Sequence, residues 1–139
     1  MAEATPFRTV LRRSATDHER AVVRWLLEQT DPKYASLADQ IDNLQVVSKC
    51  NCGCPSVDFE ELAPGVGPSH LISDQLGIVD GEVVGVMLFE RGGHLSMLEV
   101  YSFAGADNPF GLPSLENLLR WDEVPGRTDL TVRGAPFGD

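Results

Sequence analysis

At 139 residues the chain can bury a core of its own as one domain, with no need of disulfides or metal. Eleven basic residues against twenty-one acidic ones leave a net charge of −10, which sets it against nucleic acid and anionic membrane surfaces and suits a basic protein partner or plain solubility. No apolar run reaches the roughly 20 residues of a membrane span, no signal h-region opens the chain, and three cysteines within five residues make no spaced disulfide framework, so a cytoplasmic protein is expected.

Residues 1–13 read as a polar leader carrying Arg8, Arg12 and Arg13, extended and partly ordered. Thr16 and Glu19 then have the spacing of a capping box, in which hydroxyl and carboxylate satisfy the first free amides of a helix. Val22, Val23, Leu26 and Leu27 make one apolar stripe beside Trp25, which predicts a helix over Asp17–Gln29. Asp31 and Pro32 restart the chain as N-cap and first helical residue. Tyr34, Leu37, Ala38 and Ile41 keep a helical period, so a second helix is expected over Pro32–Asn43. Two helices joined so closely form a hairpin whose stripes must be buried on something, and a sheet is the available surface.

Leu44–Lys49 reads as a first strand. Ser56–Glu60 alternates, Val57 and Phe59 inward against Asp58 and Glu60 outward, as a strand with one wet face does. Glu61–Ser69 is a loop rich in Pro and Gly. Three antiparallel strands follow, Leu71–Val79, Glu82–Glu90 and Leu95–Phe103, cut by Asp80-Gly81 and Gly92-Gly93, both hairpin-turn signals. The middle one is apolar on both faces, as a central strand should be. Gly105–Gly111 is a loop, and Leu115, Leu118 and Leu119 suggest a short helix over Pro113–Trp121. Residues 122–139 read as a peripheral tail, with Leu130–Val132 as a further edge strand. The expected fold is α+β: a domain over 1–121 with two N-terminal helices on one face of a meandering antiparallel sheet of about five strands.

Cys50, Cys52 and Cys54 are the chemical oddity. In an extended strand alternate residues lie roughly 7 Å apart, whereas zinc thiolates near 2.3 Å hold their sulfurs only about 4 Å from one another. A straight strand therefore does not chelate through this triplet; a turn at Asn51, Gly53 and Pro55 would, with His70, His94 or an acid as fourth ligand. The plainer reading, and the one preferred, is of free thiols near the core that bind no metal. A dithiol at Cys52 and Cys54 is the redox version of the alternative; a strand rather than a helix N-terminus follows it, and Lys49 is the one cation near in sequence to lower a thiol pKa. No Gly-x-Ser-x-Gly, phosphate-binding loop or His-Glu-x-x-His is present, and no catalytic residue is assigned.

The last predicted strand sets Met97, Glu99, Tyr101 and Phe103 on one side and Ser96, Leu98, Val100 and Ser102 on the other, the latter small enough to receive helices. A mid-strand carboxylate among Met and aromatic side chains suits a protein recognition surface. Alternatively the C-terminal segment folds over it and Glu99 pairs with Arg120.

The leading helical pair, Cys50-Asn51-Cys52-Gly53-Cys54-Pro55-Ser56, the run Leu95–Phe103 and the run Leu112–Leu118 together resemble a group of small bacterial proteins over roughly residues 17–119. In size, charge and class the chain is similar, more loosely, to immunity proteins of bacterial polymorphic-toxin systems. That resemblance implies a small acidic sheet-and-helix inhibitor without catalytic residues or cofactor. The expected function is a non-enzymatic protein-binding module, immunity-like, with Met97, Glu99, Tyr101 and Phe103 facing a basic partner. The alternative is a zinc or thiol-redox protein built on Cys50, Cys52 and Cys54.

Overall fold

The computed structural model describes residues 8–51, 53–60, 69–103 and 110–123. It is an α+β fold in which two helical segments cover one face of a seven-stranded antiparallel sheet. The strands are β1 (Arg8–Ser14), β2 (Gln45–Cys50), β3 (Val57–Asp58), β4 (His70–Val79), β5 (Glu82–Arg91), β6 (His94–Ser102) and β7 (Leu118–Leu119), in spatial order β1-β2-β3-β6-β5-β4-β7. The α-helix is α1 (Asp17–Glu28), and a 3₁₀ helix runs over Pro32–Asn43.

Helix α1 forms as its sequence dictates. Thr16 accepts the Glu19 amide through its hydroxyl, and the Glu19 carboxylate accepts the Thr16 amide in return. Val22, Val23, Leu26 and Leu27 are all buried, and the helix lies on β4 and β5. Ser73 in β4 donates to the Leu26 carbonyl at 2.8 Å, which fixes the end of the helix on the sheet.

The second helical segment has the expected bounds and the Asp31 cap, but it winds as 3₁₀ rather than α. Its apolar residues fit both periods, because Tyr34–Leu37 and Ala38–Ile41–Leu44 are also series at a spacing of three. Leu37 and Ile41 are buried all the same, so the stripe reaches the core under either winding. Gln40 ties this segment to the β5–β6 turn. Its amide donates to the Gly93 carbonyl at 2.8 Å and its oxygen accepts the Leu95 amide at 3.0 Å.

The β4–β5–β6 meander follows its two turn signals. Asp80 and Gly81 have φ of 52° and 79°, and Gly92 and Gly93 have 59° and 83°, the left-handed geometry that two-residue hairpins need. Val84, Val86 and Leu88 of β5 and Leu98 and Val100 of β6 are buried beneath Val22, Leu26 and Ile41 in one core.

Three expectations are corrected. The sheet has seven strands, not about five, and it begins before the helices. Part of the supposed leader is β1, which pairs with β2 from Arg8↔Cys50 to Ser14↔Gln45. Its arginines hid it, yet the Arg13 guanidinium is neutralised by Glu19. The third correction falls on the expected helix over Pro113–Trp121. The structure has a 3₁₀ turn at Leu115–Asn117, then β7, then a second turn at Trp121–Glu123. The Pro113 carbonyl is bonded by His18 Nε2 at 2.7 Å, and Leu118 and Leu119 pair with Gly77 and Leu76 of β4. Pro113 packs so tightly on Gly77 that a Cβ there would lie 2.7 Å from its ring. The loop over 61–68, most of Gly105–Gly111, and the tail from 124 onward with Leu130–Val132 lie outside the described residues.

Candidate functional site

Strand alternation sends Ser96, Leu98 and Val100 of β6 under the helical layer, and Met97, Glu99 and Tyr101 to the opposite face. Neither α1 nor the 3₁₀ helix over Pro32–Asn43 lies on that second face. Direct pairing carries two rows across it. One runs Leu71, Phe89, Met97, Asp58 and Ser48, from β4 to β2. The other runs Leu119, Leu76, Gly85 and Tyr101, from β7 to β6. Ser48 donates to the Asp58 carboxylate, which closes the first row at its polar end. Leu71, at the other end, is 47% exposed.

The Tyr101 ring lies directly on Gly85, where any Cβ would overlap its atoms. Glycine is therefore needed there for close approach rather than for backbone freedom. Phe103 follows, its ring centroid 5.1 Å from that of Tyr101, and Trp121 stacks on Phe103 at 6.4 Å. The Trp121 backbone amide is held by the Gln75 side chain at 3.2 Å. Leu76 sits in the same row as Tyr101 and is fully buried.

Beside this aromatic file stands Asp74. Its neighbours across the strands are Met87 and, beyond it, Glu99. Burial pushes the Asp74 carboxyl above the ordinary Asp range, and a hydrogen bond from the Trp121 side chain only partly offsets this. Its Oδ1 is shut off from solvent without a hydrogen-bond partner. Tyr101 is likewise pushed up, first by burial and then by the negative fields of Asp74 and Glu99. The three groups thus share one electrostatic neighbourhood.

The structure brings Met97, Glu99, Tyr101 and Phe103 together on the face opposite the helical layer, all half-buried. The alternative pairing of Glu99 with Arg120 does not form; Arg120 meets Asp122 and Glu123 at 3.3 and 3.5 Å. Sequence reasoning missed Asp74 and Trp121. The available signal was an acid at Asp74 within the otherwise apolar alternate series Leu76 and Ile78, which a wet strand face would not explain.

The cysteine segment lies at the far end of β2. Cys50 and Cys54 are half-buried, and Cys52 lies outside the described residues. Cys54 Sγ donates to Ser56 Oγ at 3.3 Å. Ser56 in turn donates to the Val100 carbonyl at 3.1 Å and accepts the Val100 amide at 2.8 Å, replacing a strand residue just ahead of β3. His70 faces Glu90 at 3.1 Å, and His94 opens β6 beside the turn, exposed. Among the described residues, no three His, Cys, Asp or Glu side chains are grouped to hold a metal ion.

Comparison with family models, with curated proteins and with solved structures finds no match in any of the three.

Proposed function

We propose that the chain is a non-enzymatic protein-binding module that engages a basic partner through the sheet face carrying Met97, Glu99, Tyr101 and Phe103, in the manner of a small acidic immunity-type inhibitor. The observation that carries this is the face itself. It presents a file of Met and aromatic side chains broken by carboxylates, on the side of the sheet opposite α1, with Trp121 at one end. Aromatic and Met side chains are what partner surfaces concentrate at their centres. A charge of −10 adds long-range attraction for a basic protein, which raises the encounter rate more than the final affinity.

The test is capture of the products of neighbouring genes by the wild type and by Tyr101→Ala, compared at matched stability. The variant is expected to lose about 2 kcal/mol or more of affinity if Tyr101 is a central anchor. The association rate of the wild type should fall as salt rises through about 0.1 M, where the screening length is about 10 Å. Equal capture by both proteins removes this face as the binding surface.

A further inference from the structure

The segment over 112–123 closes on the β4 edge of the sheet as a strap, and its two ends are held unequally. At its start the Pro113 ring rests on Gly77, and the Pro113 carbonyl meets His18 Nε2 at 2.7 Å. Leu118 and Leu119 then pair with Gly77 and Leu76, and Leu118 is buried. The far end is Trp121. Its amide is held by the Gln75 side chain at 3.2 Å, its indole donates to Asp74, and its ring stacks on Phe103. A two-residue strand and a few polar contacts make this the end that opens first.

One of these contacts works against closure. Asp74 Oδ1 is shut off from solvent and has no hydrogen-bond partner. An ionised carboxyl is therefore poorly solvated under the strap, and lifting the strap gives water back to it. The neutral acid loses less by burial, and its carbonyl oxygen still accepts the indole N–H. The surroundings do not compensate the charge. Beside Asp74, β5 supplies Met87 and β6 supplies Glu99 and Tyr101, while Arg120 on the strap is bonded to Asp122 and Glu123. We propose that Asp74 is a proton-operated latch on the strap, which is held down when the carboxyl is protonated and lifts more readily from β4 when it is ionised. Acid tightens the strap, and neutral pH loosens it. The rise of the Asp74 carboxyl above the ordinary Asp range has the same sign. A group raised in the closed form stabilises that form below about pH 3.9 and loses the effect as pH climbs through the closed-form value. The latch belongs to the chain alone and stands whether or not the face binds a partner.

The test follows hydrogen exchange at the indole N–H of Trp121 and of Trp25 in the full, isotope-labelled chain, from about pH 4 to about pH 8. Each rate is divided by that of free tryptophan at the same pH, so that the ratio reports opening. The expected result is protection at Trp121 that falls severalfold as pH rises, while Trp25, half-buried on α1, stays level. Asp74→Asn, which keeps an acceptor for the indole and loses the charge, should hold Trp121 at its acid-side protection throughout. Protection that rises with pH would mean that the ionised carboxylate's bond to the indole decides, and it overturns the latch. A level wild-type profile overturns it as well, and so does a slope that Trp25 shares, which belongs to the whole fold. A slope kept by Asp74→Asn and lost in His18→Asn gives the pH dependence to the Pro113 contact, again against the proposal. The wild-type slope alone decides the sign, so the proposal stays open to refutation even if Asp74→Asn fails to fold.

Discussion

The Arg13 guanidinium closes on the Glu19 carboxylate through two parallel hydrogen bonds of 2.8 Å, one to each oxygen. The same carboxylate completes the capping box at Thr16, so one side chain fastens β1 to the start of α1. Burial alone would raise the Glu19 pKa, but Arg13 and Thr16 together outweigh it and hold the group below the usual Glu range. Such a group adds stability above its unfolded pKa and loses it as pH falls through the depressed folded value. Glu19→Gln keeps the capping acceptor but loses the charge facing Arg13, and should therefore be less stable than wild type at pH 7 by about 1–3 kcal/mol, from the charged hydrogen bonds. The gap should narrow below about pH 4, near the ordinary Glu pKa. Denaturant melts of both proteins at a series of pH values check this; a gap that stays constant into acid contradicts it.

Asp74 carries the opposite sign. Its folded pKa is raised, so its contribution to stability is fully present below the ordinary Asp pKa of about 3.9 and is lost as pH rises through the folded value. Asp74→Asn is expected to stabilise the protein at pH 7 by roughly 1 kcal/mol. The gain comes from removing a charge that burial disfavours, at the low end of the range for buried polar groups because the residue is only half-buried. The gain should fade on acidification. A variant less stable than wild type at neutral pH would show that the carboxylate serves the fold.

Gly85 and Tyr101 are coupled by contact. Gly85→Ala must displace the ring and should destabilise by about 1–3 kcal/mol, the range for overpacking. In a Tyr101→Ala background the same substitution should cost much less, so the double-mutant cycle is non-additive. Additive effects would mean that the ring does not rest on this glycine.

Leu26→Ala should destabilise by about 2–5 kcal/mol, since Leu26 is fully buried between α1 and the sheet. Leu115→Ala, at an exposed position, should cost little by comparison. Thermal melts of the two side by side give the contrast.

Ser56→Ala removes the hydroxyl that serves both backbone groups of Val100. A loss of about 1–3 kcal/mol is expected, with faster hydrogen exchange at the Val100 amide. Unchanged exchange at Val100 would show that another group takes over the pairing.

What the sequence made legible follows the range of each signal. The capping box, the two hairpin turns and the stripe at Val22–Leu27 act within a few residues, and the structure repeats them. The winding of Pro32–Asn43 was not legible because its apolar positions satisfy two periods at once. Pro113–Trp121 misled because Leu118 and Leu119 face opposite sides of a strand, a pattern that leucines at helical spacing imitate. The face was half legible. Met97, Glu99, Tyr101 and Phe103 alternate along one strand, whereas Asp74 and Trp121 join them from 25 residues before and 20 after Glu99 and Tyr101, through the register of β4, β5 and β7. No local pattern encodes that register.

The two-residue strand β3 divides the sheet more than its seven-strand count suggests. On one side β4, β5 and β6 are nine to ten residues long and paired along most of their length, and on the other β1 and β2 form a separate hairpin around the helices. Among the described residues, Val57, Asp58, the Ser56 hydroxyl and the Phe59 amide, which donates to the Ser96 carbonyl at 2.8 Å, stitch the two halves along this line. The molecule is thus two plates with a short seam. Pulled from its N-terminus, it would tear there, peeling away β1 and β2 while the plate bearing Asp74, Glu99 and Tyr101 stayed whole.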